Sequence, residues 1–174
     1  MIFDKYRPVY KLNLKKELKN KKEEIVRDIL KAKHEAGDYR RRGYNFEIFT
    51  QYNDYLYNLF IEKSKKILNH FTIKNRKLKV WCYFTGLSNH VEDRWHNHTR
   101  TSSINSVIYL ETVKDYGIKF KTDQESWYIE PKNFDLLIFP GFFNHRPVTS
   151  NTQQRISLNL ELKCNEEDKD IFRL

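Results

Sequence analysis

A mainly β fold with helices at its N-terminal end, a sandwich or barrel-like double sheet buttressed by two α-helices, is what the 174-residue sequence predicts. Three features predict it. Helical periodicity is confined to the chain ahead of Asn75, the chain beyond it breaks into short β-type runs, and no segment between those runs is long enough for a crossover helix. Closely spaced strands without crossovers pair antiparallel.

From Leu12 to Lys33 the apolar residues Leu14, Leu18, Ile25, Val26, Ile29 and Leu30 fall largely on one helical stripe with charges elsewhere, the pattern of a surface helix lying on a core. GDYRRRGYNFE interrupts that pattern at Gly37 and Gly43. A second helix follows, with Asn53 or Asp54 able to cap it and Tyr55, Leu56, Leu59, Phe60, Ile67 and Leu68 facing inward. The predicted strands are Leu78–Phe84, Ile104–Leu110, Gly117–Lys121, Trp127–Glu130, Asp135–Phe139 and Arg155–Leu162.

The last of these is the most informative. In RISLNLEL, Ile156, Leu158, Leu160 and Leu162 share one face, while Arg155, Ser157, Asn159 and Glu161 share the other. If the apolar face packs against the N-terminal helices outside the sheet, the polar face is left to line a ligand cavity inside.

The expected organisation is one domain over residues 1–174, with a helical buttress over 1–75, a β core over 76–164 and a C-terminal tail over 165–174. That length can bury a core without disulfides or structural zinc. Cys82 and Cys164 form no CxxC pair and read as buried free thiols. The N-terminus MIFDKYRPVY has no apolar signal-type core, and the longest apolar run, Leu136–Phe139, is far too short to span a bilayer, so a soluble, cytoplasmic protein without membrane contact is expected.

Net charge is +9, unevenly placed: residues 1–42 carry 14 Lys/Arg against 7 Asp/Glu, leaving 18 against 16 for the rest. A basic N-terminal segment of this kind either contacts a polyanion such as nucleic acid or is a solvated helix face. Composition leaves oligomeric state open.

The chemistry-bearing stretch is WHNHTR, residues 95–100. His96 and His98 are two apart, so in an extended segment both imidazoles project to one side and can meet one ion. His145, in FPGFFNHRP, follows an apolar strand and supplies a third imidazole; three imidazoles suit Fe(II), Zn or another borderline first-row metal. Ten residues beyond His145 stands Arg155, with Ser157 two positions on and Tyr109 closing INSVIYL. A guanidinium fork, a hydroxyl and a phenol can together hold a carboxylate. A metal site beside a carboxylate clamp points to an acid co-substrate. His34 and His70, in or beside the helices, read as ordinary surface histidines.

HNH followed by SVIYL, then DLLIFPGFFNHRP, then RISLNLEL, resembles the Fe(II)- and 2-oxoglutarate-dependent dioxygenase superfamily over about residues 78–162, in particular its small phage-like, bacterial and prolyl-hydroxylase-like members. The resemblance implies a double-stranded β-helix (jelly roll, cupin-like), with Fe(II) as cofactor and 2-oxoglutarate as co-substrate. The implied reaction hydroxylates an unactivated C–H bond with O2 and gives succinate and CO2. It further implies His96, His98 and His145 as metal ligands, with Arg155 and Ser157 as the pair anchoring 2-oxoglutarate and Tyr109 assisting.

One departure stands out: the family's first pair is HxD or HxE, and here His98 takes the place of the acid. An all-imidazole triad leaves the ion at a formal +2 instead of +1. The alternative is His90 and Glu92, an HxE pair in HVED ahead of the same strand. His96/His98 is preferred because WHNH leads directly into the segment entering strand INSVIYL. The resemblance leaves the substrate as a protein side chain, a nucleobase or a small molecule, with a protein side chain favoured; Trp95 and the Phe142/Phe143 pair read either as walls of the cavity around the iron or, equally, as core packing. Two other readings compete: a cupin-like metal-dependent enzyme without 2-oxoglutarate, and a non-catalytic basic nucleic-acid-binding domain.

Overall fold

The computed structural model describes residues 8–35, 52–83, 95–148, 155–165 and 171–172. The chain begins with strand β1 (Tyr10–Asn13), a short helix α1 (Lys15–Leu18), α2 (Lys22–Glu35) and α3 (Asn53–Ile67). Seven strands follow: β2 (Ile73–Tyr83), β3 (Ile104–Glu111), β4 (Ile118–Lys121), β5 (Ser126–Ile129), β6 (Asp135–Pro140), β7 (Asn144–Pro147) and β8 (Arg155–Cys164). They build two antiparallel sheets, one in the order β1-β6-β3-β8-β2 and one in the order β5-β4-β7.

The alternation in β8 separates two cores. Ile156, Leu158, Leu160 and Leu162 pack with Leu14, Leu18, Ile25, Ile29, Leu56 and Phe60, so one face of the large sheet carries the helices. The opposite face meets the small sheet through Val107, Tyr109, Leu137 and Phe139, packed against Ile118, Phe120 and Phe143. Register keeps the inward positions together: Asn105 pairs with Glu161, Val107 with Asn159 and Tyr109 with Ser157. A one-residue slip would send Arg155 and its polar companions into the helix-facing core, so the buried Leu/Ile row fixes the position of the site.

The helical stripe holds at Leu14, Leu18, Ile25 and Ile29, all fully buried, while Leu30 is exposed. Leu12 does not begin a helix. Tyr10–Asn13 instead pairs with β6, where buried Asp135 accepts from Asn13 Nδ2 at 3.0 Å and from the Lys132 amide at 2.7 Å, and meets Lys11 Nζ at 2.8 Å. Those partners hold the segment as an edge strand just ahead of α1. The second helix opens one step earlier than a cap at Asn53 or Asp54 would place it: Tyr52 occupies the cap position without a side-chain cap bond.

Strand β7 is absent from the sequence-based expectation and β2 starts five residues ahead of the predicted Leu78. NHRP is four residues long with one buried position, too short for alternation to register. Cys164 is buried as expected; the Cys82 side chain and residues 37–51 lie outside the described residues. Among the described residues no helix is long and apolar enough to cross a membrane.

Candidate metal centre and anion clamp

Two backbone devices bring WHNH to β7. His96 and His145 exchange both backbone hydrogen bonds, the His96 amide to the His145 carbonyl at 3.0 Å and the reverse at 2.9 Å. The His98 amide donates to the Gly141 carbonyl at 2.7 Å, and the His98 carbonyl accepts from Thr101 and Ser102, closing a turn that returns the chain to β3. Gly141 is required there: a Cβ would sit 2.0 Å from the Ser102 carbonyl oxygen.

The three imidazoles converge. Ring centroids lie 5.3 Å apart for His96 and His98, 4.4 Å for His96 and His145 and 5.2 Å for His98 and His145. One ligating nitrogen from each falls within 4.8 Å of the others, close enough for small imidazole rotations to bring all three to one ion.

His145 is the most constrained member. It is buried, pairs with Phe120 across to β4, and its Nδ1 lies 2.9 Å from the Phe143 carbonyl oxygen. A carbonyl can only accept, so Nδ1 carries the proton and Nε2 presents its lone pair. Burial first, and His96 second, push the imidazolium down to about 3. His145 is therefore neutral at ordinary pH, as a metal ligand must be. His96 is exposed and His98 half-buried, so the cluster opens to solvent on one side.

Arg155 stands at the start of β8, 3% exposed. Its Nη1 donates to the Gly117 carbonyl at 3.1 Å, Nη2 to Ser157 Oγ at 3.5 Å, and the guanidinium lies 5.0 Å over the ring of fully buried Tyr109. Gly117 is the second glycine the site needs, since a Cβ would come within 2.3 Å of the Ile129 carbonyl oxygen. Arg155, Ser157 and Asn159 line one cavity with His96, His145, Val107, Ile118 and Pro147. His96, His145 and the Arg155 guanidinium thus share a single space between the two sheets. His90 and Glu92 lie outside the described residues.

The sequence matches no family model and no curated protein. The fold does have counterparts. A prolyl-4-hydroxylase from Pseudomonas putida superposes with a TM-score of 0.62 at 11% identity, over 91% of this chain and 94% of that one. A prolyl hydroxylase from Trichoplax adhaerens, solved in complex with a hypoxia inducible factor oxygen degradation domain peptide fragment, gives 0.61 at 12% identity, over 90% and 83%. The chain has the prolyl hydroxylase fold. Its double sheet is accordingly the jelly roll, or double-stranded β-helix, with helices on one outer face.

Within this prolyl hydroxylase fold, the three aromatics take different places. Phe142 is 62% exposed, while Phe143 is buried in the inter-sheet core against Phe120 and Trp127. Trp95 stands beside the histidines, its ring contacted at 5.0 Å by both Lys121 Nζ and the Arg146 guanidinium.

One residue of the site escaped sequence reasoning. Glu161, 3% exposed, has Oε1 3.3 Å from His98 Nδ1 and lines a second, smaller cavity with His98, His145, Asn105 and Asn159. The signal was present in RISLNLEL, where Glu161 falls on the polar face with Arg155. A strand glutamate is so commonly solvated that alternation alone does not single it out.

Proposed function

We propose that the protein is an Fe(II)- and 2-oxoglutarate-dependent oxygenase that hydroxylates an unactivated C–H bond with O2, yielding succinate and CO2. The observation that carries this reading is the shared cavity: His96 and His145 line it together with Arg155 and Ser157. A keto acid with a distal carboxylate is the ligand class that uses both ends.

His96, His98 and His145 would hold the iron. The donor set fits a borderline divalent ion, because His145 is held neutral with Nε2 available and the others lie within 4.8 Å. Bound iron would supply the redox chemistry with O2. The rest falls to the chain. Arg155 offers paired donors to the distal carboxylate, Ser157 adds a hydroxyl, and Tyr109 holds the guanidinium plane from beneath. Val107, Ile118 and Pro147 keep the space between them apolar, which strengthens each charge-assisted contact.

A protein side chain is the proposed substrate class, supported by the peptide complex of the Trichoplax adhaerens prolyl hydroxylase. The direct test is aerobic incubation of the Fe(II)-loaded protein with 2-oxoglutarate. Slow conversion to succinate without added substrate, lost in His145→Ala, is the expected result; no succinate under any condition contradicts the reading.

A further inference from the structure

The metal ligands proposed above are three imidazoles and bring no negative charge, yet a carboxylate lies directly behind one of them. Glu161 on β8 is 3% exposed, and its Oε1 is 3.3 Å from Nδ1 of His98. Its position is set by the sheet: Glu161 pairs with Asn105 of β3 between the fully buried Leu160 and Leu162, so it points to the inner side with Arg155, Ser157 and Asn159. The cavity it borders also contains His98 and His145.

We propose that Glu161 supplies the missing carboxylate from behind His98, as a positioning residue that acts through the imidazole. Nδ1 lies 3.3 Å from the carboxylate, so a small rotation of the imidazole would direct it at Glu161 and leave Nε2 for the ion, the arrangement in which a carboxylate fixes the tautomer and raises the basicity of a metal-bound histidine. The two outer partners are then matched to their ligands: the Phe143 carbonyl orients His145, and the Glu161 carboxylate orients His98. The charge consequence is specific. Three neutral imidazoles leave a divalent ion at +2, and one buried carboxylate a single imidazole away brings the assembly to +1, the value a two-histidine, one-carboxylate site would have. A buried carboxylate persists where a cation stands close by. An ion held by His98 would be that cation.

This inference rests on the metal-site reading of His96, His98 and His145, and its test separates the two. Zn(II) and Fe(II) affinities are measured by competition with a chromophoric chelator for wild type, Glu161→Gln and Glu161→Asp, together with the Fe(III)/Fe(II) midpoint potential. Gln keeps the shape and removes the charge. It should lower affinity about 10- to 100-fold, the range for loss of such an outer partner, and raise the potential, because the ferric state loses more stabilisation than the ferrous. Asp keeps the charge and should hold the potential near wild type. A merely structural glutamate would leave the potential of Glu161→Gln where it was, and that result, or an affinity within twofold of wild type, overturns the proposal. Should Gln fail to fold, nitrogen-edited proton spectra of the Zn(II)-loaded wild type decide: a slowly exchanging, downfield Nδ1–H from His98 supports the contact, and an Nδ1 of His98 bound to the metal overturns it. Absence of metal binding by wild type itself removes the triad reading and this inference with it, whereas strong metal binding unaffected in every Glu161 variant removes only the inference.

Discussion

Nδ1 of His145 donates to the Phe143 carbonyl oxygen across 2.9 Å, inside the same short segment that carries the buried Phe143 ring. The bond fixes which nitrogen faces His96 and His98. His145→Ala should therefore abolish binding of about one Fe(II) or Mn(II) per chain, read by titration calorimetry. Of the two possible first pairs, only the true one should matter. His98→Ala is expected to weaken metal binding strongly and Glu92→Ala to leave it within a few-fold; the reverse result would transfer the site to His90 and Glu92.

Burial of His145 has a pH signature. Its imidazolium lies at about 3 in the folded chain, against about 6.5 for an unperturbed histidine. Between those values the unfolded state binds the extra proton, so stability contributed by the neutral, buried ring is present above about pH 6.5 and lost as pH falls toward 3. The slope approaches ~1.4 kcal/mol per pH unit at most. Melting temperature of the metal-free protein should fall from pH 7 to pH 4, and His145→Gln should flatten that dependence. Equal slopes for both would mean that His145 titrates normally.

Gly141 ties the WHNH segment to β6 through its carbonyl bond to the His98 amide. A methyl group would strike the Ser102 carbonyl at 2.0 Å, and the clash is with backbone, which cannot rotate away. Gly141→Ala is expected to cost at least roughly 1–3 kcal/mol in denaturant unfolding and to weaken metal binding as the turn at His98 shifts. Unchanged metal affinity would show that the turn does not position His98.

The basic N-terminal segment is compatible with a buttress and with polyanion binding, because α2 buries Ile25 and Ile29 while Arg27 and Lys31 stay exposed. If it recruits nucleic acid, a gel shift seen at low salt should weaken steeply as salt rises. No shift at low salt leaves the segment as a helix-forming cover for the sheet.

Much of this architecture was legible in the sequence because period-2 alternation in β8 is enforced by two different environments. Ile156 to Leu162 answer to the helices and Arg155 to Glu161 to the interior, so the pattern survives in one strand read alone. The approach of His96, His98 and His145 was legible as chemistry and spacing. What could not be read was the pairing that produces it: β7 has one buried residue, and its partners His96 and β4 come from 49 and about 25 positions away. The edge strand β1 was hidden for a similar reason, since Asp135, far along the chain, supplies the contacts that hold it. The alternation put Glu161 on the polar face, but its approach to His98 depends on the pairing of distant segments and could not be read.

Arg155 carries the most direct test of the central claim. A buried guanidinium that closes on a carboxylate loses a bidentate, charge-assisted pair when truncated, at about 2–5 kcal/mol, or roughly thirtyfold to several-thousandfold in affinity. The measurement is the melting temperature of Mn(II)-loaded protein with and without millimolar 2-oxoglutarate, for wild type and Arg155→Leu. Wild type should be stabilised by the keto acid, and Arg155→Leu should lose that response while still binding Mn(II). If 2-oxoglutarate leaves the melting curve of metal-loaded wild type unmoved, the oxygenase reading is contradicted and a cupin-like metal enzyme without 2-oxoglutarate takes its place.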